Sequence, residues 1–135
     1  MYNEDHQVLV LQREDDPTFW QSVTGSLEDN EVPIQTALRE VEEETGIDIV
    51  STGLILADCR QVNQYVIRPD WRYRYAQGVD KNFEYVFCVQ IPKLSTIILT
   101  EHLDYLWLDK AQAIEKVWSK TNKQAIKQYV PKAAV

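Results

Sequence analysis

The sequence contains little that would anchor, cross-link or export the chain. Its 135 residues include only two cysteines and four glycines, and no apolar run is long enough to span a membrane. The N-terminus lacks the basic and then apolar stretch of an export signal. Cys59 and Cys88 lie among apolar or strand-forming residues, which favours reduced, buried thiols over a disulfide or a zinc site. The sequence therefore predicts a cytoplasmic protein with no membrane partner.

Basic residues are scarce in one stretch, and this locates the net charge of −7. Residues 28–48 hold eight acids and one base, so the other thirteen acids and thirteen bases balance. No basic face is indicated, which argues against binding to nucleic acid. Because neighbouring like charges repel, a crowd of acids favours binding of a divalent cation, with a solvated acidic helix face as the alternative. The crowd directly follows Arg39 and consists of Glu40, Glu42, Glu43 and Glu44.

The same stretch has the pattern of an amphipathic helix. Pro33 suits a first helical turn, and Gly46 suits the C-cap. Glu40, Glu43 and Glu44 share one face, near the helix end where the dipole disfavours negative charge by about 0.3–1 kcal/mol for each acid. A bound cation would offset that cost. Mostly apolar residues recur at three- and four-residue steps and predict the buried stripe, namely Ile34, Ala37, Leu38, Val41 and Thr45.

Apolar runs elsewhere in the chain predict strands that alternate with helices. Residues 1–6 predict only a turn, and residues 60–78 predict an irregular segment, in which a strand would place Arg72 and Arg74 on one face. We expect one domain over residues 1–135, of the α+β class and built as an α/β/α sandwich. The predicted strands are 7–12, 19–23, 54–59, 83–91 and 105–108, and the predicted further helices follow caps at Asp109 and Thr121 and run to Trp118 and about Val130.

The spacing from Gly25 onward resembles the Nudix box of the Nudix hydrolase family at every position. A chance match at its seven fixed identities is on the order of 10⁻⁸ per start position, from average residue usage. The resemblance implies a loop–helix–loop in an α/β/α sandwich with a mixed sheet. It also implies hydrolysis of a nucleoside diphosphate linked to another group, with Mg²⁺ or, as the alternative, Mn²⁺. The box falls on Gly25, Glu31, Arg39, Glu40, Val41, Glu43, Glu44, Gly46 and Ile47.

The resemblance further implies roles for individual residues. Glu40 and Glu44 are the expected metal ligands, with Glu43 as a third. In the family a glutamate outside the box completes the metal site, and the matching residue here is Glu101. Arg39 and Glu43 form an i,i+4 pair that is expected to brace the box. The implied catalytic residues are Glu43, Glu44, Glu101 and Arg39, and the implied metal ligands are Glu40, Glu43, Glu44 and Glu101.

Stretches outside the box resemble the dihydroneopterin triphosphate pyrophosphohydrolases of bacterial folate synthesis. They are residues 11–28, 72–79 and 100–113, and the last of these also contains His102 as a supporting neighbour of Glu101. The similarity implies a small-molecule triphosphate substrate, cleaved to dihydroneopterin monophosphate and pyrophosphate. Arginine suits phosphate, so the candidates for the triphosphate are Arg13, which is favoured because it follows the first strand, Arg72 and Arg74. A pterin ring needs stacking and a few polar groups, for which the candidates are Trp20, Gln21, Tyr65, Tyr73 and Phe83.

Two other functions stay open on these residues. One keeps the Nudix chemistry on dATP, oxidised nucleotides or ADP-ribose. The other is a binding module without activity, although the presence of all three acids Glu40, Glu43 and Glu44 argues against it. The family usually has a further strand before the stretch that matches residues 7–12, and here the chain starts almost at that strand. A missing strand would expose a sheet edge, which predicts self-association or low stability. The expected oligomeric state is a monomer or a homodimer.

Overall fold

The computed structural model describes residues 1–132 of the chain. A three-stranded sheet, a two-stranded sheet and three α-helices are formed within these residues. The elements in chain order are β1 (Val8–Arg13), β2 (Trp20–Gln21), α1 (Pro33–Thr45), β3 (Ala57–Val66), a 3₁₀-helix (Pro69–Arg74), β4 (Lys81–Cys88), β5 (His102–Leu108), α2 (Lys110–Lys116) and α3 (Lys120–Tyr129).

The three-stranded sheet has the order β2-β1-β5, with both neighbours antiparallel to β1. β1 is central because its consecutive apolar residues can be buried on both faces, and Val8 to Leu11 are each at most 1% exposed. One face carries Val8, Val10 and Trp20. These three residues pack against α2 and α3 through Ala113, Val117, Ile126 and Val130.

A second core joins α1 to the opposite face of this sheet. Trp107 of β5 pairs with Leu9, so by strand alternation it points away from Val10. Trp107 packs against a buried group that contains Val41 of α1, together with Ile47, Ile49, Val89 and Ile91. The sheet therefore lies between α1 and the α2–α3 pair, which confirms the expected α+β class and α/β/α sandwich.

The expected combination of parallel and antiparallel pairing is present, although the parallel part is small. All the strand pairs formed within residues 1–132 are antiparallel. Parallel pairing in this part of the chain is restricted to isolated bridges, at Tyr2 with Gln90 and at Trp20 with Val117.

The first two residues pair as a strand would, so the prediction of only a turn over residues 1–6 is wrong for them. Tyr2 donates to the carbonyl of Val89 at 3.1 Å and accepts from Ile91 at 2.8 Å, and Met1 accepts from Leu9 at 3.0 Å. β1 itself has a partner strand on each side. The exposed edge that led us to expect self-association is therefore not at β1.

β3 extends through Val66, where the sequence predicted an irregular segment. This strand is not evident from the sequence because polar residues occupy its half-buried face, where a strand usually has apolar ones. These polar side chains bond across the sheet: Asn63 donates to Glu84 at 3.3 Å, and Asn82 donates to Tyr65 at 3.3 Å. Such cross-strand pairs stabilise a strand without an apolar pattern.

The segment with Arg72 and Arg74 forms the 3₁₀-helix Pro69–Arg74 and not a strand, so the two arginines do not share a strand face. Pro69 begins this helix with a fixed backbone angle that suits a first turn. The alternating pattern of arginine and tyrosine misled the prediction because a 3₁₀-helix has three residues per turn.

The helix caps agree with the sequence at one of two positions. Asp109 accepts from the backbone N–H of Gln112 at 2.8 Å and begins α2, as predicted. Ser119, not Thr121, caps α3 by accepting from Asn122. The cysteines are both free, as predicted, but only half-buried. No helix within residues 1–132 is long and apolar enough to cross a membrane.

Candidate active site

Glu31 and Arg39 hold the loop before α1 against the helix. Arg39 donates to both carboxylate oxygens of Glu31, from Nε at 2.7 Å and from Nη2 at 2.9 Å. Glu31 also accepts from the hydroxyl of Thr36 and from the backbone N–H of Glu28, both at 2.9 Å. The hydrogen bonds from Arg39 lower the pKa of Glu31 to about 2. The loop that carries Gly25 is thereby fixed to the first turns of α1.

Arg39 also reaches the acids of the C-terminal half of α1. Its Nη1 donates to Glu40 at 2.8 Å and to Glu43 at 3.2 Å, while Nη2 donates to the carbonyl of Ser26 at 3.0 Å. Glu31, first, and then Glu40 raise the pKa of Arg39 above its ordinary value. The expected bracing contact between Arg39 and Glu43 is present in the structure.

Glu40 and Glu44 lie one helical turn apart on α1, and each carboxyl group influences the pKa of the other. Glu44 is 2% exposed, and burial together with Glu40 raises its pKa to about 9. Burial likewise raises the pKa of Glu40, although Arg39 opposes this. Within residues 1–132, Oε2 of Glu44 has no hydrogen-bond partner. A cation would satisfy this buried oxygen and remove the repulsion between the two carboxylates.

Gly25 leaves the space that the side chain of Glu40 occupies. A Cβ at this position would lie 2.0 Å from Cδ and 2.3 Å from Oε1 of Glu40. The backbone at Gly25 does not have a positive φ, so the glycine is needed for close approach and not for an unusual turn.

The loop that carries Glu101 is docked on the end of α1. Thr100 Oγ1 donates to the carbonyl of Glu43 at 2.7 Å, and the backbone N–H of Ile98 donates to the carbonyl of Thr45 at 2.8 Å. These two bonds satisfy carbonyls that the helix end leaves without a partner. They also bring a distant part of the sequence to the acidic end of the helix.

Glu101 is exposed, and its charge is one of the smaller causes that raise the pKa of Glu44. Gly46 ends α1 as predicted, with φ of 78° and its N–H bonded to the carbonyl of Glu42 at 2.8 Å. The structure thus places Glu40 and Glu44 one turn apart near the end of α1, and Thr100 docks the loop that carries Glu101 on the same end.

Glu43 does not join that group. Its side chain is 53% exposed and its carboxylate faces Arg39. The metal role of Glu43 stays a prediction, and the observed contact is the bracing one. The buried face of α1 also differs from the predicted stripe, because Ile34 is 42% exposed. The buried residues are Thr36, Val41, Glu44 and Thr45.

Polar side chains from the sheet lie against Glu44. His102 Nε2 is 3.6 Å from Glu44 Oε1, and Gln21 Nε2 is 3.2 Å from His102 Nε2. Arg13 Nη1 donates to Gln21 Oε1 at 3.2 Å. Burial, and next the charge of Arg13, lower the pKa of His102, so its ring is neutral at neutral pH. His102, expected only as a neighbour of Glu101, is therefore in direct contact with the buried acid.

The arginines expected to reach phosphate already have partners in the protein. Arg13 forms a bidentate pair with Asp15, at 2.7 Å and 2.6 Å, and Arg74 contacts the same carboxylate at 2.8 Å. Together, and chiefly through Arg13, they lower the pKa of Asp15 to about 2. Arg72 Nε donates to the carbonyl of Ile67 at 3.2 Å. Their phosphate contacts stay predictions.

Trp20 and Gln21 point to opposite faces of the sheet, because neighbours in a strand alternate. Gln21 faces the acids, whereas Trp20 packs in the core against α2 and α3 with Lys116 Nζ 4.9 Å from its ring centroid. The structure does not bring Trp20 to the site. Tyr73 and Phe83 are exposed by 76% and 59%.

Sequence reasoning missed Asp15, Thr100 and Trp71 as residues that organise the site. Asp15 stands two residues after Arg13, and this short spacing between opposite charges was the signal for an ion pair. Thr100 precedes Glu101 and matched the same family stretch, which was the available signal. Trp71 has no local signal, because its partners come from distant parts of the chain.

The carboxylates have the chemistry to bind a divalent cation, although within residues 1–132 their side chains do not converge on one point. No three His, Cys, Asp or Glu side chains within residues 1–132 converge closely enough to hold an ion. Carboxylate oxygens are the ligands that Mg²⁺ prefers, and Glu44 has a buried oxygen with no hydrogen-bond partner among the described residues. A cation would satisfy this oxygen and offset the burial of the Glu44 charge.

An α/β/α sandwich with carboxylates at the end of a loop–helix motif defines a class of hydrolase, and comparison with known proteins gives the family. The NUDIX domain model matches residues 1–130, and the chain belongs to the Nudix family. It is 50% identical to the dihydroneopterin triphosphate diphosphatase of Escherichia coli K12, over 99% of this chain and 90% of that protein. It is 41% identical to the Haemophilus influenzae protein of the same name, over 96% and 83%.

A solved structure agrees with these relatives. The E. coli dihydroneopterin triphosphate pyrophosphohydrolase superposes with a TM-score of 0.92 and 48% identity, over 96% of this chain and 89% of that one. The similarity therefore extends to the strands and loops outside the acidic box.

Proposed function

We propose that the protein hydrolyses dihydroneopterin triphosphate to dihydroneopterin monophosphate and pyrophosphate. The observation that carries the reaction is the pair Glu40–Glu44 on α1, in which Oε2 of the buried Glu44 has no hydrogen-bond partner within residues 1–132. The identity of 50% to a dihydroneopterin triphosphate diphosphatase over 99% of the chain supports the substrate.

Nudix hydrolases depend on divalent metal ions, and we infer that Mg²⁺ is the ion here, with Mn²⁺ as a substitute. Glu40, Glu44 and Glu101 would hold it. When bound, such an ion neutralises phosphate charge and lowers the pKa of an attacking water. The chain contributes the placement: Arg39 fixes Glu40 at 2.8 Å, and the docked loop of Thr100 brings Glu101 to the helix end.

The four residues predicted as catalytic divide into two kinds. Glu44 and Glu101 are proposed to act at the reacting atoms, as ligand and proton acceptor. Arg39 and Glu43 are proposed to act by position, because their mutual contact at 3.2 Å braces the helix that presents Glu44. Arg39 also ties that helix to the loop through Glu31.

Substrate recognition is proposed for the surface near the 3₁₀-helix. Arg72 and Arg74 lie on this helix, and Tyr73 between them is exposed enough to stack on a flat ring. Arg74 would contact phosphate in addition to Asp15, since a guanidinium has five donors.

An assay with four substrates tests this function. Wild-type protein with Mg²⁺ is given dihydroneopterin triphosphate, dATP, oxidised dGTP and ADP-ribose, and the released pyrophosphate or monophosphate is identified. We expect the highest kcat/KM on dihydroneopterin triphosphate, with pyrophosphate as product. A higher kcat/KM on another member would replace the substrate, and no hydrolysis of any member would refute the proposed activity.

A further inference from the structure

A line of polar contacts crosses the three-stranded sheet and ends at Glu44. Gln21 belongs to β2, Arg13 to β1 and His102 to β5, and Arg13 and His102 are register partners in the β1–β5 ladder. The line runs from Asp15 through Arg13 to Gln21 at 3.2 Å, and from Gln21 to His102 at 3.2 Å. His102 Nε2 then lies 3.6 Å from Glu44 Oε1.

These groups are buried to a degree that polar groups rarely reach without a reason. Gln21 is 7% exposed, and the side chains of His102 and Glu44 are 5% and 3% exposed. Within residues 1–132, His102 Nδ1 and Glu44 Oε2 have no hydrogen-bond partner. A network selected only for stability would satisfy these atoms or replace them with apolar ones. The presence of these unpartnered atoms indicates that the network serves the position of Glu44 and not the stability of the fold.

The donors fix the direction of the line. Arg13 can only donate, so the oxygen of the Gln21 amide faces it and the NH₂ group faces His102. His102 Nε2 is therefore the ring nitrogen that accepts from Gln21, which leaves Nδ1 as the nitrogen that carries a proton. His102 Nε2 lies 3.6 Å from Oε1 of Glu44, a packing contact and not a hydrogen bond, and within residues 1–132 Oε2 of Glu44 has no hydrogen-bond partner.

Arg13 is the fixed end of this line. Its guanidinium is held by the bidentate pair with Asp15, and its Cζ lies 4.2 Å from the ring centroid of Trp71. The Arg13 side chain is 14% exposed. A guanidinium with this many partners is rigid, and such rigidity suits an anchor better than a group that moves to meet phosphate.

We propose that Gln21 and His102 are positioning residues that hold Glu44 with Oε2 free for the metal ion, and that Arg13 anchors them. This inference rests on the proposed function in one respect, namely that Glu44 is a metal ligand. Partners of this kind around metal ligands typically change metal affinity by about 10–100-fold when they are mutated.

Binding of Mn²⁺ alone, measured by calorimetry without substrate, tests the proposal. For His102→Phe and Gln21→Leu we expect Mn²⁺ affinity to fall by about 10–100-fold. His102→Gln and Gln21→Asn, which keep an amide in the line, should lose less. At saturating Mn²⁺ the KM for substrate should stay near that of the wild type, because the changes act on the ion.

Matched controls separate this role from a general loss of stability. Gln64 is an exposed residue of β3, and His6 Nδ1 contacts the carbonyl of Lys132 far from the acids of α1, so Gln64→Leu and His6→Gln should bind Mn²⁺ as the wild type does. Thermal unfolding in EDTA reports whether each variant folds. If His102→Phe does not fold, Gln21→Leu and the two amide variants carry the test.

The outcomes distinguish this inference from the proposed function. Unchanged Mn²⁺ affinity in folded His102→Phe and Gln21→Leu overturns the inference, even if their melting temperatures fall and the wild type hydrolyses dihydroneopterin triphosphate. Weakened Mn²⁺ binding supports it, even if the wild type prefers another substrate in the assay. Absence of Mn²⁺ binding by the wild type overturns both.

Discussion

The acidic box of residues 25–47 and the arginine cluster around Trp71 treat charge in opposite ways. In the box, one arginine serves several acids, and Glu44 keeps a buried oxygen that has no partner in the part of the chain that the structure describes. In the arginine cluster, each cation has an acid of its own or shares one. The arginine cluster consists of Arg13, Arg68, Arg74 and Trp71 with the acids Asp15, Asp16 and Asp70.

The arginine cluster is built from contacts between distant segments. Arg13 and Arg68 each place Cζ 4.2 Å from the ring centroid of Trp71. Arg68 contacts Asp16 at 3.4 Å, and Arg74 contacts Asp15 at 2.8 Å. These contacts join the loop after β1 to the 3₁₀-helix.

The difference indicates which region reacts and which region supports. An incompletely satisfied buried acid costs stability and is available to a ligand. In the arginine cluster the guanidinium groups already have ion-pair partners and stack on the indole of Trp71, so these contacts stabilise the local structure. Changes in the box should therefore affect turnover first, and changes in the cluster should affect stability first.

Glu44→Gln should give the largest effect. It keeps the shape of the side chain but removes the charge that would hold the ion, so kcat should fall by at least about 10³-fold, or about 4 kcal/mol. Burial disfavours the charged form of Glu44, so the melting temperature in EDTA should not decrease. Steady-state kinetics with Mg²⁺ and circular dichroism measure the two quantities.

Glu42→Gln is the matched control, because Glu42 is an exposed acid of the same helix. Its kcat should remain within about threefold of wild type, as expected for a surface change. Equal losses in both variants would mean that general acidity matters and not the particular carboxylate, and near-normal turnover of Glu44→Gln would remove Glu44 from the metal site.

Gly25→Ala should have the next largest effect. The added methyl would stand 2.0–2.4 Å from side-chain atoms of Glu40, so Glu40 must move away from its place beside Glu44. We expect kcat/KM to fall by about 10–100-fold with the protein still folded, as for other disturbances of metal ligands. Ser26→Ala changes the adjacent exposed residue and should be neutral. A Gly25→Ala variant with normal kcat/KM would show that Glu40 is free to shift.

The box could be predicted from sequence because its contacts are local. Glu40 and Glu44 are one helical turn apart, and Arg39 reaches Glu43 at i+4, so spacing alone gives their geometry. Spacing could not show that Glu44 is buried or that Gly25 touches Glu40, because both facts depend on how the loop folds back. The docking of Thr100 on Glu43 was likewise out of reach, since it joins residues far apart in sequence.

The arginine cluster could not be predicted for a related reason. Arg72 and Arg74 alternate with tyrosines as in a strand, but Pro69 starts a 3₁₀-helix that places Trp71 between Arg13 and Arg68. Trp20 was expected near the substrate because it is aromatic. Strand alternation in β2 instead turns its side chain to the opposite face of the sheet. Tertiary contacts overrode local pattern in both cases.

Trp71→Leu tests the supporting role of the arginine cluster. It removes the ring between two guanidinium groups and should lower the free energy of unfolding by about 1–3 kcal/mol, while kcat changes by less than about fivefold. Urea unfolding measures the first quantity. Tyr73→Leu, at an exposed aromatic residue next to it, should change the free energy of unfolding much less. A loss of kcat without a loss of stability in Trp71→Leu would place the ring at the reaction instead.

Glu31→Gln should show the smallest effect, and its dependence on pH identifies the cause. The folded pKa of Glu31 is about 2, below its ordinary value of about 4.3, so the unfolded chain binds the proton more readily. The contribution of Glu31 is thus complete above about pH 4.3 and is lost as the pH falls towards 2. The melting temperatures of wild type and Glu31→Gln should therefore differ at pH 7 and converge in that range.

Glu28→Gln, at a side chain 67% exposed and 3.5 Å from Arg39, should differ from wild type at neither pH. A difference between wild type and Glu31→Gln that persists at pH 2 would show that Glu31 stabilises the box through the shape of its hydrogen bonds and not through its charge.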